Sequence, residues 1–144
     1  MDLPVTALDG LFDTFLRVQA QITANLEAHG AELGLNATQL VVVRDVWDHP
    51  HTSLKDLCGR CGLKKSAASR LVDALAVRGF LVRTDCPTSR RTVALVPGPS
   101  LDGGKFCRVA ALEKVLPGWK SLQHPGELEA VKDGLEAFLR LARP

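Results

Sequence analysis

Apolar residues recur along the first part of the chain as Leu8, Leu11, Phe12, Phe15, Leu16, Ile22 and Leu26, with Asp9, Asp13, Arg17 and Glu27 off that stripe. The spacing predicts a long amphipathic helix from Leu8 to Leu33, stopped by Gly34. Asn36 and Gln39 then stand three apart, the pattern of a capping box in which two side chains satisfy free backbone N–H groups. They open a helix over 40–47, LVVVRDVW, which the His-Pro-His turn at 49–51 stops. Ser53 is a second cap of this kind, for a short helix through Arg60, and Gly62 suits a left-handed helix end. The next helix runs from Lys65 to Arg78 with Ala68, Leu71, Val72 and Leu75 turned inward, and Gly79 closes it.

The period then becomes extended. FLVRT (80–84) and RTVALV (91–96) are β-prone runs joined by the turn-forming DCPTSR, which predicts a hairpin with a basic tip. After the breaker at 97–99, Ser100 predicts the cap of a helix reaching Gln123, kinked or cut short by Pro117-Gly118. Pro125 suits the first turn of a last helix striped by Leu128, Val131, Leu135, Phe138 and Leu139. The fold class is therefore mainly α with a small β-hairpin wing (α+β). Helix, glycine turn, helix and hairpin is the order of a winged helix-turn-helix.

The composition, 46% hydrophobic and 24% charged over 144 residues, belongs to a globular chain rather than a disordered one. No apolar run reaches the roughly 18 residues of a membrane span, and the N-terminus has no signal-peptide pattern, so a cytoplasmic protein without a membrane partner is expected. Charge adds more. The net +2 conceals an uneven spread: residues 55–91 hold nine bases against Asp56, Asp73 and Asp85, a local +6, whereas residues 1–54 carry −5. A basic block is the electrostatic footprint of a nucleic-acid binder, because neutralised phosphates release counterions. A solvated basic face is the plainer alternative.

The helix at 65–78 sharpens the choice. With its aliphatic side inward, its other face carries Lys65, Ser66, Ser69, Arg70 and Asp73, small or basic groups suited to close approach to bases and phosphates. Lys64 precedes it, and Ser89-Arg90-Arg91 form the hairpin tip, where an arginine can enter a minor groove or meet a phosphate.

At this point residues 53–96 resemble the MarR family of multiple-antibiotic-resistance regulators. The likeness rests on Leu57, Gly62-Leu63, Ser66, Ser69-Arg70-Leu71-Val72-Asp73, Leu75, Arg78-Gly79-Phe80 and Arg90-Arg91. Leu116, Pro117 and Trp119 extend it. Lys64 stands where that family usually has an acid, and Cys86 and Ser89 stand where it has wing acids. The resemblance implies one domain over 1–144: a DNA-binding lobe at 36–96, flanked by dimerisation helices in 1–35 and 100–144. It implies a homodimer on a palindromic operator of double-stranded DNA, with Lys64, Lys65, Ser66, Ser69, Arg70, Ser89, Arg90 and Arg91 as contacts. It also implies a repressor released by a small aromatic or phenolic effector in a crevice between the two regions, where Arg17, Trp47, His49 and Trp119 are the candidate lining. Packing in the core is the alternative for both tryptophans.

The cysteines admit two readings. Cys58 and Cys61 form a C-x-x-C, with Cys86 in the wing and Cys107 further on. Thiol sensing is one reading, with Cys86 its best candidate because Arg83, Arg90 and Arg91 are near in sequence; plain packing of small hydrophobes is the other. A second ligand pair at zinc spacing is missing from the sequence, so no metal and no cofactor are expected. No catalytic motif marks an enzyme. The competing function is a winged-helix protein-interaction module, an anti-repressor that does not bind DNA. It predicts weak, salt-insensitive DNA binding.

Overall fold

The computed structural model describes residues 4–86, 89–101 and 108–144, of which 89–91 and 108–111 are described by their backbone alone. The first helix, α1 (Val5–Leu33), ends at Gly34, and α2 (Ala37–Asp48) starts at the expected capping box. The Asn36 carboxamide oxygen accepts from the Gln39 N–H at 2.8 Å, and the Asn36 N–H donates to the Gln39 side chain at 2.9 Å. Two residues, β1 (Thr52–Ser53), lead into α3 (Leu54–Cys61), and Ser53 Oγ accepts from the Asp56 N–H at 3.1 Å. Gly62 takes φ 66°, a left-handed turn that a Cβ would strain, and α4 (Lys65–Val77) follows.

Strands β2 (Leu81–Cys86) and β3 (Ser89–Pro97) form the antiparallel hairpin, irregular between Asp85 and Cys86. The sheet has a third strand that the hydrophobic pattern does not announce. β1 pairs with β3 through Thr52↔Leu95 and Ser53↔Ala94, giving the order β1-β3-β2. It is only two residues long, and its second residue is also the cap of α3, so no alternation can betray it.

A second difference follows Pro97. Ser100 does not cap a long helix. It sits in a short 3-10 turn (Pro99–Leu101), where its Oγ donates to the Arg78 carbonyl at 2.7 Å and its N–H to that of Gly79. Residues 102–107, with Cys107, lie outside the described residues. The chain continues as α5 (Arg108–Val115), a 3-10 turn (Pro117–Ser121) and α6 (Pro125–Ala142). Pro125 stands in the first turn of α6, as expected.

The core lies inside the central lobe. Leu40, Val42, Val43 and Val46 of α2 meet Leu57 of α3, Val72 and Leu75 of α4, and Phe80, Leu81 and Leu95 of the sheet. Leu57, Val72 and Leu75 are wholly buried, so truncating either leucine to Ala costs about 2–5 kcal/mol. Arg60 braces the lobe from outside. Its Nε and Nη2 donate to the two Asp45 carboxylate oxygens at 2.8 Å each, and Nη2 also reaches Thr52 Oγ1 at 2.5 Å. One guanidinium thus ties α2, α3 and β1 together. No helix of the described residues is long and apolar enough to cross a membrane.

Candidate nucleic-acid interface

α4 sits on the lobe by one side only. Ala68, Val72 and Leu75 are buried and Leu71 is half-buried, whereas Lys65, Ser66, Arg70 and Asp73 are exposed and Ser69 is half-buried. This is the division that the apolar spacing predicts. Lys64 occupies the N-cap without a side-chain cap bond. The first-turn N–H groups and the adjacent Lys64 and Lys65 therefore make a cationic helix end, the kind that attracts phosphate.

The sheet adds to this face. A cleft of about 440 Å³ between α3, α4 and the hairpin is bordered by Lys55, Lys65, Ser69 and Arg83, together with Ser53 and Thr92. Arg83 Nη2 lies 2.5 Å from Asp73 Oδ1, linking β2 to the outward side of α4. The pair is largely exposed, so it orients the strand more than it stabilises the fold. Lys55 and Arg83 belong to no motif; only the basic block marks them in the sequence. The backbone of Ser89, Arg90 and Arg91 opens β3 beside the hairpin turn, and their side chains lie outside the described residues. Arg60 counts toward the positive charge but is committed to Asp45.

The other candidate residues are dispersed. Arg17 is exposed on α1, where Nη2 donates to Thr14 Oγ1 at 3.4 Å. Trp47 is exposed near the end of α2, and His49, just beyond, has Nδ1 3.0 Å from the Asp45 carbonyl oxygen. Trp119 borders an open groove with Gln21, Ile22, Asn25, Leu116 and Leu122, whose lining includes neither Arg17, Trp47 nor His49. A different set meets where α1, α2 and α5 converge: Ile22, Leu26, His29, Leu40, Val41, Arg44 and Val115 surround a small cavity. Its polar members, His29 and Arg44, come from two helices and carry no joint sequence signal.

Cys58, Cys61 and Cys86 are each half-buried, and none of the three is in a disulfide. Burial pushes the Cys61 thiol above its ordinary value, and the Asp45 carboxylate raises it further, so its thiolate is scarce. Cys86 faces Ser89 across the irregular end of the hairpin. Among the described residues no group of three or more His, Cys, Asp or Glu could hold a metal ion.

Residues 35–93 match the model of the MarR family. Over those residues the chain is similar to the MarR family. The match runs from the capping box of α2 through α4 and into β3. Solved structures extend the likeness to both flanking regions. AbsC, a MarR family transcriptional regulator from Streptomyces coelicolor, shares 18% identity at a TM-score of 0.76 over 97% of each chain. Sco3205 of the same organism, a MarR family regulator solved in complex with DNA, gives 13% identity and a TM-score of 0.78, covering 100% of this chain and 92% of its own. BpsR of Bordetella bronchiseptica, whose DNA binding is regulated by 6-hydroxynicotinic acid, gives 20% identity and 0.69 over 88% of this chain and 90% of its own. At these identities the likeness establishes the fold. No curated protein sequence matches the chain.

Proposed function

We propose that the chain is a homodimeric, sequence-specific DNA-binding regulator that represses from a palindromic operator until a small organic effector releases it. The observation that carries this reading is the outer face of α4. It presents Lys65, Ser66, Ser69 and Arg70 on a helix braced by its aliphatic side, beside Arg83 and the arginine-bearing hairpin. A helix so presented fits the major groove of B-DNA, roughly 12 Å wide.

Pairing of two chains is supported by α1 and α6. α6 runs 18 residues without burying one, yet its stripe of Leu128, Val131, Leu135 and Leu139 is half exposed. Opposite it, Leu8, Leu11, Phe12 and Leu16 of α1 are equally open, and the two helices touch through stacked Phe15 and Phe138 rings 4.6 Å apart. An apolar groove of about 550 Å³ runs between them. A lone helix of this length is marginal in water, and so continuous an apolar surface calls for a second copy. Two-fold pairing would set two α4 helices about 34 Å apart, on successive turns of one duplex face.

Release by a ligand is supported by the cavity where α1, α2 and α5 meet, and at Cys61 burial disfavours the thiolate that oxidation needs. The test is selection of bound DNA from a random library, followed by titration of the selected duplex against salt and against Arg70→Ala. Enrichment of a palindrome, a steep fall of affinity with salt, and a loss of about 10–100-fold in the variant are expected. Weak, salt-insensitive binding without an enriched sequence would favour the protein-interaction alternative.

A further inference from the structure

Arg78 belongs to the basic block, yet it stands at the wrong end of α4 for the groove. A recognition helix meets base edges through its N-terminal residues. Arg78 is the C-cap, about 20 Å along the axis from Lys65 at roughly 1.5 Å per residue. Its guanidinium faces the end of another helix instead. Nη2 donates to the Leu33 carbonyl of α1 at 3.4 Å, and the group lies over the Phe80 ring, 5.0 Å from its centroid.

The way both helices end explains the joint. α1 closes on Gly34, whose N–H donates to the Ala31 carbonyl while that of Leu35 donates to Gly30. α4 closes in the same way on Gly79, with the Gly79 N–H on Ala76 and the Phe80 N–H on Leu75. This ending leaves the carbonyl just before the glycine without a partner in its own helix. At Leu33 that carbonyl takes the Arg78 guanidinium, a cation at the negative end of a 29-residue helix. At Arg78 it takes Ser100 Oγ at 2.7 Å, and the next carbonyl, of Gly79, takes the Ser100 N–H at 2.8 Å. α5, further along the chain from Ser100, is bound back to α1. Asn25 Nδ2 donates to the Val115 carbonyl at 2.9 Å, and Lys114 pairs with Glu32. The C-terminal end of α4 is thus held from two sides, by α1 and by the Ser100 turn. The opposite end carries Lys65, Ser66 and Ser69. A swing of about 10° around the Arg78 end would displace the Lys65 end by about 3.5 Å, one base-pair step.

We infer that Arg78 is a positioning residue, which ties the C-terminal end of α4 to α1 and so sets the half-site spacing that the paired chains accept. The inference rests on the regulator reading above and names what fixes its geometry.

The probes are the selected duplex and a copy with one base pair inserted at its centre, each titrated with the full chain. The insertion lengthens the site by about 3.4 Å and turns one half against the other by about 35°. The wild type should bind the inserted copy at least about 30-fold more weakly. Arg78→Gln should bind the selected duplex about tenfold more weakly and distinguish the two duplexes by less than about fivefold. Its slope of log affinity against log salt should equal that of the wild type, because the guanidinium touches no phosphate. Arg78→Lys, which keeps a charged donor, should restore most of the ratio. Ser100→Ala, which removes no charge, should narrow the ratio as Arg78→Gln does, and it decides alone if Arg78→Gln fails to fold. A salt slope shallower by about one in Arg78→Gln makes Arg78 a phosphate contact and overturns the inference. So does a wild type indifferent to the insertion, or a folded variant that keeps the wild-type ratio. A wild type that enriches no duplex at all refutes the regulator reading and this inference with it; an enriched palindrome whose spacing preference survives both substitutions refutes the inference alone.

Discussion

Replacing Arg60 with Ala should cost the lobe about 2–3 kcal/mol, an estimate that follows from the geometry. The guanidinium makes two 2.8 Å bonds to Asp45, and the Asp45 side chain is only 10% exposed. Charge-assisted bonds contribute about 1.5–3 kcal/mol each, and stranding a buried partner costs about 3–5 kcal/mol. Arg60 itself is 33% exposed, so water reaches the gap and the loss falls below the range for a fully buried pair. His49 Nδ1, 3.6 Å from Asp45 Oδ1, is too far to replace the lost bonds. The assay is urea unfolding at one fixed protein concentration, run on Arg60→Ala, Asp45→Asn and the double variant. A coupling energy above about 1 kcal/mol is expected, with a melting point about 6–9 °C lower for either single variant. Additive losses, or an Arg60 variant within about 0.5 kcal/mol of wild type, would refute the brace. Arg60 lies in the basic block, so the folded variant also separates bracing from DNA contact. Its salt dependence of binding should keep the wild-type slope, whereas Lys65→Ala should lower that slope by about one.

Other expectations are shorter. Ser53→Ala removes the side-chain acceptor at the α3 cap and should cost about 1 kcal/mol in urea titration. Gly98→Ala should prevent a stable lobe from forming, because its Cβ would lie 2.2 Å from the Gly79 carbonyl oxygen; native thermal stability in that variant would contradict the close approach. Lys114 holds the Glu32 carboxyl below its ordinary value, first by hydrogen bonding and then by charge, so the pair's contribution is present above the unfolded value of 4.5 and lost as pH falls through the folded one. Glu32→Gln should accordingly lower stability slightly at neutral pH and converge on the wild type in acid, which flattens the acid limb of the profile. Leu135→Glu should yield monomers by light scattering; a dimer that survives it would move the interface elsewhere.

The parts of the fold that are local were legible. The Asn36–Gln39 box, the Ser53 cap and the inner face of α4 each depend on residues within one or two turns, and each stands where the spacing predicts. What escaped depends on distant partners. β1 exists because Leu95 and Ala94 lie alongside Thr52 and Ser53, over forty residues away in sequence. Ser100 was free to be read as a cap until the folded chain brought the Arg78 carbonyl to its hydroxyl. The same holds for the site. The outer face of α4 is a single-helix property, but Arg83 joins it only through the hairpin, and His29 meets Arg44 only because α1 crosses α2. Counting charges included Arg60 in the basic block, and only its bonds to Asp45 show that its charge is committed within the lobe.

α6 buries no residue fully within its own subunit and meets α1 through Phe138, so under the proposed pairing its order would draw on the second copy. Newly made chains, still single, would hold out an unprotected greasy tail that proteases can reach. Subunits below the pairing concentration would then be destroyed faster than those above it, giving the amount of working regulator a built-in floor.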